Sequence, residues 1–324
     1  MNLKKYALSI DLGGTSVRIG VVNTSGALLL KKTCPTDADL GAGQIIENIY
    51  KLADDVIVKY PDYETVGMGS PGCIDSKQGK VLFATDNLPG WRGTELKKIL
   101  EVKFRKPVYV QNDVNMMTFA ESRIGSGKGY NDFICLTLGT GVGGGIIVNG
   151  VLYEGNQYYA GEMGHITINF SGPYCNCGGQ GCLEAYIGTK ALVSRVEAVL
   201  LKKEPTVMND LIQRNNGMIT PHLICQAAEM GDKAAMNILM DMGLYLGIGL
   251  GNIINAFSPQ RIAIGGGIAQ SWKWFYPSMM EAVHRQVLFG NERNTSIVAA
   301  GLGPDAGLIG AGLYALEQEE KYEK

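Results

Sequence analysis

The sequence predicts a layered α/β protein that consists of two similar lobes. First, short apolar runs ending in polar or glycine residues alternate with longer segments of helical periodicity. Second, the order strand, glycine turn, strand and helix occurs before Asn131 and again after it, which indicates an internal duplication. Third, the chain has 324 residues, more than one hydrophobic core usually fills. We therefore expect two α/β lobes that leave a ligand-binding cleft between them.

The first lobe is expected to contain several strands and one long helix. A strand at residues 7–11 ends in Asp11 and leads into a turn at Gly13 and Gly14. The spacing of apolar residues predicts a helix over residues 44–59, which ends before Pro61. The other expected strands are residues 16–22, residues 27–32 and the buried runs TVGMGS and PVYVQND.

The second lobe is expected to repeat this order. The run FICLTLGTGVGGGIIVNGVLYEG predicts three strands joined by two turns, and QRIAIGGG predicts a later strand that ends in glycines. The final run GPDAGLIGAGLYALEQEEKYEK predicts a helix with a charged end. The expected lobes are residues 1–114 together with 303–324, and residues 115–302.

The composition argues against several classes of protein. With 29 basic and 31 acidic residues the net charge is −2, so no surface for nucleic acid or an anionic membrane is indicated. The apolar run at residues 243–257 contains two asparagines and falls short of a membrane span, and the N-terminal run lacks a signal-peptide cleavage site. The isolated positions of Cys34, Cys73, Cys135 and Cys225 are typical of reduced thiols in the cytoplasm.

Three glycine turns follow apolar strands, at DLGGT (residues 11–15), LGTGVGGG (residues 138–145) and IGGG (residues 264–267). Glycines free backbone N–H groups to face an anion, and Asp11 and Thr15 add a carboxylate and a hydroxyl. None of the turns is a Walker A sequence. A single glycine turn is most often only a turn, but three in equivalent places favour phosphate binding.

Asp113 follows the buried strand VYVQN, at a position where a carboxylate can accept a proton. Transfer of a phosphoryl group from a nucleotide to an alcohol requires positioning, charge neutralisation and a group that takes the hydroxyl proton. The alternative is that Asp113 is the N-cap of the following helix, and both roles can coexist.

Cys175, Cys177 and Cys182 follow His165 within one glycine-rich loop. Three thiolates and one imidazole are a complete ligand set for tetrahedral zinc, and such a closed shell is structural. A disulfide between the cysteines and chance clustering are the weaker interpretations. Glu162 and Glu184 flank this loop, where they are either rigidly placed acceptors for sugar hydroxyls or ordinary surface charges.

The motifs DLGGT, QNDVN, LGTGVGGGI, GEMGH and CNCGGQGCLE together resemble the ROK family of bacterial sugar kinases and repressors, in the order and spacing of that family. The resemblance extends from about Leu8 to Leu313. It implies an actin-like, hexokinase-type fold of two α/β lobes around a substrate cleft. It also implies an assembly of two or four identical subunits.

The resemblance implies roles for individual residues. Asp113 would be the catalytic base. The residues that would bind the sugar are Gly72, Asn112, Asp113, Glu162, His165 and Glu184. Those that would face the phosphates of ATP and Mg²⁺ or border the nucleotide are Asp11, Gly13, Gly14, Thr15, Gly139, Thr140, Gly141, Gly265 and Gly266. The structural Zn²⁺ would be held by His165, Cys175, Cys177 and Cys182.

The implied activity is ATP-dependent phosphorylation of a hexose at its 6-hydroxyl, with glucose favoured by the segment DNLPGW (residues 86–91). Kinases for N-acetylmannosamine, N-acetylglucosamine, fructose or allose share the whole site and remain alternatives. A ROK repressor is disfavoured because only ten residues precede Asp11, and a sugar-binding protein without turnover because Asp113 is present. Gly312 and Pro304 depart from the family pattern, and we expect both to affect the fit of the nucleotide.

Overall fold

The computed structural model describes residues 5–84, 87–288 and 294–322. Its strands are β1 (Tyr6–Leu12), β2 (Ser16–Asn23), β3 (Leu28–Pro35), β4 (Thr65–Ser70), β5 (Cys73–Asp75), β6 (Lys80–Phe83), β7 (Val108–Asn112), β8 (Phe133–Leu138), β9 (Val142–Val148), β10 (Val151–Leu152), β11 (Arg261–Gly265) and β12 (Ser296–Ala299). Its helices are α1 (Ala42–Ile57), α2 (Leu96–Phe104), α3 (Asp113–Ile124), α4 (Glu184–Ile187), α5 (Thr189–Leu201), α6 (Met208–Arg214), α7 (Pro221–Glu229), α8 (Lys233–Phe257), α9 (Trp272–Gln286) and α10 (Ala306–Tyr322).

The chain forms two compact units whose boundaries differ from the expected ones. The first unit consists of Met1–Asn131, Gly145–Gly161 and Gly301–Lys324, and the second of Asp132–Gly144 and Glu162–Ala300. The first unit continues past residue 114 because α3 packs against α10 and β4. Residues 145–161 join it because the backbone of Gly145 lies directly against Thr118 and Asn115 of α3.

The first unit is built on a five-stranded sheet with the order β3-β2-β1-β4-β7. Strands β1, β2 and β3 are antiparallel, whereas β1, β4 and β7 run parallel. Alternate residues of β1 serve two layers: Leu8 and Ile10 belong to one core with α1, while Ala7 packs with α10. Helices therefore pack on both faces of this sheet, which is consistent with the layered α/β lobes that the sequence predicted.

The second sheet has the order β10-β9-β8-β11-β12, which matches that of the first sheet when the strands of each sheet are counted in chain order. Strands β8, β11 and β12 are again parallel. The duplication expected from the sequence is therefore present in the topology of the two sheets.

Helix α8 packs closely against α9 in the second unit. Within the part of the chain that the structure describes, α8 is the one helix long and apolar enough to cross a membrane. Its Leu246, Leu250 and Ile254 are fully buried. A Cβ on Gly247 would lie 2.6 Å from the Ala282 Cβ, so the two helices approach to backbone contact there. Helix packing thus accounts for the apolar composition of α8.

A glycine in β4 lets α10 cross the first sheet at close range, and its replacement should destabilise the protein. A Cβ on Gly67 would overlap the carbonyl group of Ala311. We expect Gly67→Ala to lower the free energy of unfolding by about 1–3 kcal/mol, the usual cost of overpacking. The matched control is Gly43→Ala in α1, where a Cβ meets nothing within 4 Å. That change should be neutral or stabilise by about 0.4–1 kcal/mol in the same denaturant titration.

Candidate active site

Several residues singled out in the sequence lie at one edge of the first sheet. Because β1, β4 and β7 are parallel, their carboxyl ends meet at the same edge. Asp11 is near the end of β1, Gly72 follows β4, and Asn112 and Asp113 mark the junction of β7 and α3. Carboxyl ends of parallel strands are the usual ligand-binding edge of α/β sheets.

The glycine turn after β1 is held by hydrogen bonds within the first unit. The Gly13 N–H donates to the Ser16 carbonyl at 2.9 Å, and the Thr36 hydroxyl donates to the Gly13 carbonyl at 2.7 Å. A further bond joins the Thr36 N–H to the Thr15 carbonyl at 3.1 Å. Thr36, which is buried, therefore fixes the turn that contains Gly14.

Asn112, and not Asp113, is the N-cap of α3. The Asn112 Oδ1 accepts hydrogen bonds from the N–H groups of Val114 at 2.9 Å and Asn115 at 3.1 Å, and its Nδ2 donates to the Gly72 carbonyl at 3.0 Å. Asp113 is the first residue of the helix, and its Oδ1 accepts from the Val114 N–H at 3.0 Å. The capping alternative for Asp113 is therefore wrong. The helix N-terminus favours a negative charge at this position.

Gln111 connects this junction to buried polar groups that the sequence analysis did not identify. It is 1% exposed, and its Oε1 accepts from the Asn112 N–H at 2.8 Å and from the Asn115 Nδ2 at 3.2 Å. Its Nε2 donates to the Glu154 carboxylate. The sequence signal for these polar groups was a glutamine in an otherwise buried strand, because an amide in the interior needs hydrogen-bond partners.

Asp11 is buried beside the start of α10. It is 5% exposed, and a Cβ on Gly307 would lie 3.2 Å from its Oδ1. Burial raises the pKa of the Asp11 carboxyl; the Arg18 guanidinium, 3.4 Å away, opposes this rise and Asp305 adds to it. A carboxylate kept in such a place at a cost in stability is typical of a functional site.

The change Asp11→Asn should therefore stabilise the protein in a pH-dependent way. Because the pKa is raised in the folded state, the unfolded chain loses this proton first as the pH rises, and ionisation then disfavours folding. The variant and the wild type should unfold alike near pH 4, and the variant should gain relative stability as the pH rises above about 4. Denaturant titrations between pH 4 and pH 8 test this. A difference that does not change with pH would contradict it.

In the second unit, a cavity of about 400 Å³ adjoins the glycine turn after β8. We call it the Thr140 cavity; its lining residues are Gly139, Thr140, Thr189, Thr220, Pro221, His222, Gly267, Ile268 and Gln270. Gly265 and Gly266 immediately precede one wall, and Gly266 has φ +88° with its α-carbon against the backbone of Leu138. The wall formed by the start of α7 was not predicted from the sequence. Its residues Thr220, Pro221 and His222 are far along the chain from the glycine turn and belong to no recognisable motif.

His165, Cys175, Cys177 and Cys182 come together in the second unit. Their ligand atoms all lie within 4.8 Å of one another. The Cys177 and Cys182 Sγ atoms are 3.7 Å apart, and the Cys175 Sγ is 3.7 Å from the His165 Nδ1. Tetrahedral zinc with ordinary Zn–S and Zn–N bonds places such pairs about 3.6–3.8 Å apart. The four residues therefore fit a zinc ion, and the sulfur separation is far from that of a disulfide.

The loop of residues 165–182, here called the cysteine loop, is shaped by its own backbone. The Cys175 N–H donates to the Gly179 carbonyl at 2.8 Å, and the Gly178 N–H donates to the Cys175 carbonyl at 3.0 Å. Gly178 and Gly181 have positive φ angles of 89° and 71°. Glycine tolerates these angles without strain, which is why the cysteines can be placed so close together.

The two glutamates that flank the cysteine loop both reach it. The Glu162 Oε2 is 3.7 Å from the Nε2 of His165, whose Nδ1 faces the sulfurs. Partial burial raises the pKa of the Glu162 carboxyl; His165 opposes the rise and Glu184 adds to it. The Glu184 Oε2 accepts from the Val142 N–H at 2.9 Å, and its Oε1 is 3.9 Å from the Cys175 Sγ. Neither glutamate is an isolated surface charge.

Three further positions named in the sequence analysis have structural roles in the first unit, through packing or hydrogen bonds. Gly312 lies against β2, where a Cβ would come within 2.6 Å of the Val22 Cβ. The carbonyl of Pro304 accepts a hydrogen bond from Arg18. Trp91 is fully buried and donates to the Ser70 hydroxyl at 2.9 Å, whereas Asp86 of the same segment lies outside the described residues.

The fold, the glycine turns, the β7–α3 junction and the cysteine cluster together define a class of protein. The chain belongs to the ROK family, which matches residues 7–318, and it has the mixed α/β, actin-like fold of ROK hexokinases. It is 33% identical to the glucokinase of Halalkalibacterium halodurans over 99% of this chain and 98% of the relative. It is 30% identical to the xylose repressor of Bacillus spizizenii, covering 96% of this chain and 77% of the repressor. The ROK glucokinase of Streptomyces griseus in complex with glucose and AMPPNP superposes with a TM-score of 0.83, at 33% identity over 96% and 99% of the two chains.

Proposed function

We propose that this protein is an ATP-dependent sugar kinase that phosphorylates the 6-hydroxyl of a hexose, with glucose as the preferred acceptor. The observation that carries the proposal is the junction of β7 and α3, where Asn112 caps the helix and Asp113 is left in its first turn at the ligand-binding edge of the sheet. The similarity to glucokinases of two genera supports glucose as the acceptor.

Asp113 would act as general base. The sugar hydroxyl attacks the γ-phosphorus of ATP, a new P–O bond forms, and the bond from that phosphorus to the bridging oxygen of ADP breaks. The hydroxyl proton passes to the Asp113 carboxylate. The first turn of a helix is a favourable place for a negatively charged group, which suits a carboxylate that accepts this proton.

The Thr140 cavity would hold the nucleotide. Its volume suits a nucleoside, and its glycine turn presents backbone N–H groups to phosphates. Gly139, Thr140, Gly141, Gly265 and Gly266 would border the nucleotide. In the first unit, Gly13, Gly14 and Thr15 would offer the same kind of contact.

Asp11 would hold Mg²⁺, because a carboxylate oxygen is the donor that this ion takes in nucleotide sites. The ion neutralises charge on the phosphates when it is bound. Arg18 and the start of α10 fix the direction of the Asp11 carboxylate.

Glu162, His165, Glu184, Asn112 and Gly72 would bind sugar hydroxyls. The carboxylates accept hydrogen bonds, and the imidazole of His165 offers the nitrogen that does not face the sulfurs. A zinc ion on the four ligands of the cysteine loop would supply no catalytic position, because its shell is filled. It would fix the orientation of His165 and, through it, of the acceptor.

Two kinds of alternative remain open to the test. Kinases for N-acetylmannosamine, N-acetylglucosamine, fructose or allose would differ only in a few contacts to the acceptor. A sugar-sensing regulator is the second alternative, and the 30% identity to the xylose repressor is the observation that supports it. We also propose that the protein acts in the cytoplasm, where its thiols stay reduced, and that it forms a homodimer or homotetramer.

The experiment is an ADP-release assay with the zinc-loaded protein across glucose, mannose, fructose, allose, xylose, N-acetylglucosamine and N-acetylmannosamine. We expect turnover with glucose to exceed that with the other sugars, and phosphorus NMR to place the phosphate on the 6-hydroxyl. Polyphosphate in place of ATP tests the donor. Tight binding of a sugar in calorimetry without ADP release from any of them would reject the kinase and favour a regulator.

A further inference from the structure

The cysteine loop and the glycine turn of the Thr140 cavity are joined by one short segment of the second unit. Leu183 alone separates Cys182 from Glu184, the first residue of α4. This helix ends at Ile187, and Gly188 leads directly into Thr189, the first residue of α5. The segment is anchored on the loop side, where the Leu183 N–H donates to the Ile166 carbonyl at 2.9 Å and Leu183 is fully buried.

Three hydrogen bonds attach this segment to the turn. The Glu184 Oε2 accepts from the Val142 N–H at 2.9 Å. The Thr189 hydroxyl donates to the Gly139 carbonyl at 2.8 Å, and the Thr189 N–H donates to the same oxygen at 3.1 Å. Both ends of the turn between β8 and β9 are therefore fixed by residues that follow the last cysteine.

The contact is so close that side chains are excluded from it. A Cβ on Gly141 would overlap the Glu184 carboxylate, and a Cβ on Gly188 would lie 2.9 Å from the Glu184 carbonyl and 3.3 Å from the Thr140 carbonyl. The glycines at both positions are thus explained by this contact, apart from any contact with phosphate. The other Glu184 oxygen is 3.9 Å from the Cys175 Sγ, so one carboxylate touches both the cysteine cluster and the turn.

We propose that Glu184 and Thr189 are positioning residues through which a metal ion on the cysteine loop controls the affinity of the Thr140 cavity for a nucleotide. The inference rests on the proposed function in taking this cavity as the nucleotide site. An ion that orders the cysteine loop orders residues 183–189, and these in turn hold the N–H groups and carbonyls of the turn in one arrangement. Loss of the ion loosens the turn, and a turn that must be ordered on binding binds more weakly.

Thr189 provides the test, because no role in binding sugar is assigned to it. Since Thr189 also lines the Thr140 cavity, a positioning role is recognised by a loss of affinity that depends on zinc. Thr189→Val removes the hydroxyl donor and keeps the shape, whereas Thr189→Ser keeps the donor. In the zinc-loaded protein, we expect Thr189→Val to weaken Mg²⁺-ADP binding in calorimetry roughly tenfold, as for one lost hydrogen bond, and to raise KM for ATP but not for the sugar. Thr189→Ser should bind like the wild type, and zinc content should be unchanged in both variants.

The coupling itself is measured by a thermodynamic cycle. Mg²⁺-ADP affinity is determined for wild type and Thr189→Val, each with zinc and after removal of zinc by a chelator, with circular dichroism as the control for folding. We expect zinc removal to weaken binding to the wild type by at least tenfold and to have a clearly smaller effect on the variant, since residues in one network are not additive.

Zinc removal that leaves a folded wild type with unchanged affinity would overturn the proposal, and so would equal losses in the two proteins. If the chelated protein unfolds, the zinc-loaded variants decide: equal affinity of Thr189→Val and Thr189→Ser rejects the role of Thr189. A zinc-loaded wild type that binds no Mg²⁺-ADP at all would reject the nucleotide cavity of the proposed function instead, which is a different result from binding that is insensitive to zinc.

Discussion

Asp113→Asn is expected to reduce kcat by a factor of about 10²–10⁴ while the affinity for the sugar stays within a few-fold of the wild type. The amide has the shape of the carboxylate but cannot accept the hydroxyl proton. Because Asn112 caps α3, the substitution leaves the start of the helix intact. The measurements are steady-state kinetics with glucose and calorimetric titration of the sugar.

The dependence of the rate on pH separates a base from a structural residue. The wild type should lose activity at low pH as its base is protonated. The residual rate of Asp113→Asn should not show this loss at low pH. Glu95→Gln is a matched control, since it removes an exposed carboxylate of the same unit that is 3.5 Å from Lys98. Its kcat should equal that of the wild type. A rate for Asp113→Asn near that of the wild type would remove Asp113 from the role of base.

Cys177→Ser is expected to lower the zinc content well below one ion per chain and to raise the KM for the sugar by roughly 10–100-fold or more. The four ligand atoms lie within 4.8 Å of one another, and loss of the ion removes what would hold them together in a loop that contains four glycines. His165 then loses the contact that orients its ring toward the acceptor. Metal analysis, sugar kinetics and thermal unfolding of the same preparation test this.

Cys34→Ser is the matched control for the loss of a thiol. Cys34 lies in β3 of the first unit, apart from the cysteine cluster, and burial raises the pKa of its thiol. Zinc content, KM and unfolding temperature should be unchanged. Freshly purified wild-type protein without zinc would defeat the interpretation of the cysteine cluster, whatever the kinetics of Cys177→Ser.

The strand ends and the residues after them were predictable from the sequence. Apolar runs that stop at a polar residue or glycine define the carboxyl edge of each sheet, and Asp11, Asn112 and Asp113 lie where those runs end. The cysteine cluster was predictable because its members are close along the chain and chemically specific. Local sequence thus specified most of the candidate site.

Contacts between distant segments were not predictable. No pattern indicates that Glu154 meets Gln111, or that His222 lines a cavity with Thr140, because each pair is joined only by the tertiary fold. The extension of the first compact unit through α3 was also not predictable, since the packing of α3 on α10 cannot be seen in either segment alone. Asn112 as the N-cap could have been predicted, because asparagine is as good a cap as aspartate and precedes it.

The return of α10 to the first unit has a consequence for synthesis on the ribosome. The strands of this unit are synthesised long before Ala311, Ala315 and Leu316, which cover the sheet and belong to the segment Gly301–Lys324. The nascent chain therefore carries one uncovered apolar face for as long as the ribosome takes to reach α10, at roughly 5–20 residues per second. Truncated products that stop before Gly301 would keep that face exposed and be substrates for chaperones and proteases.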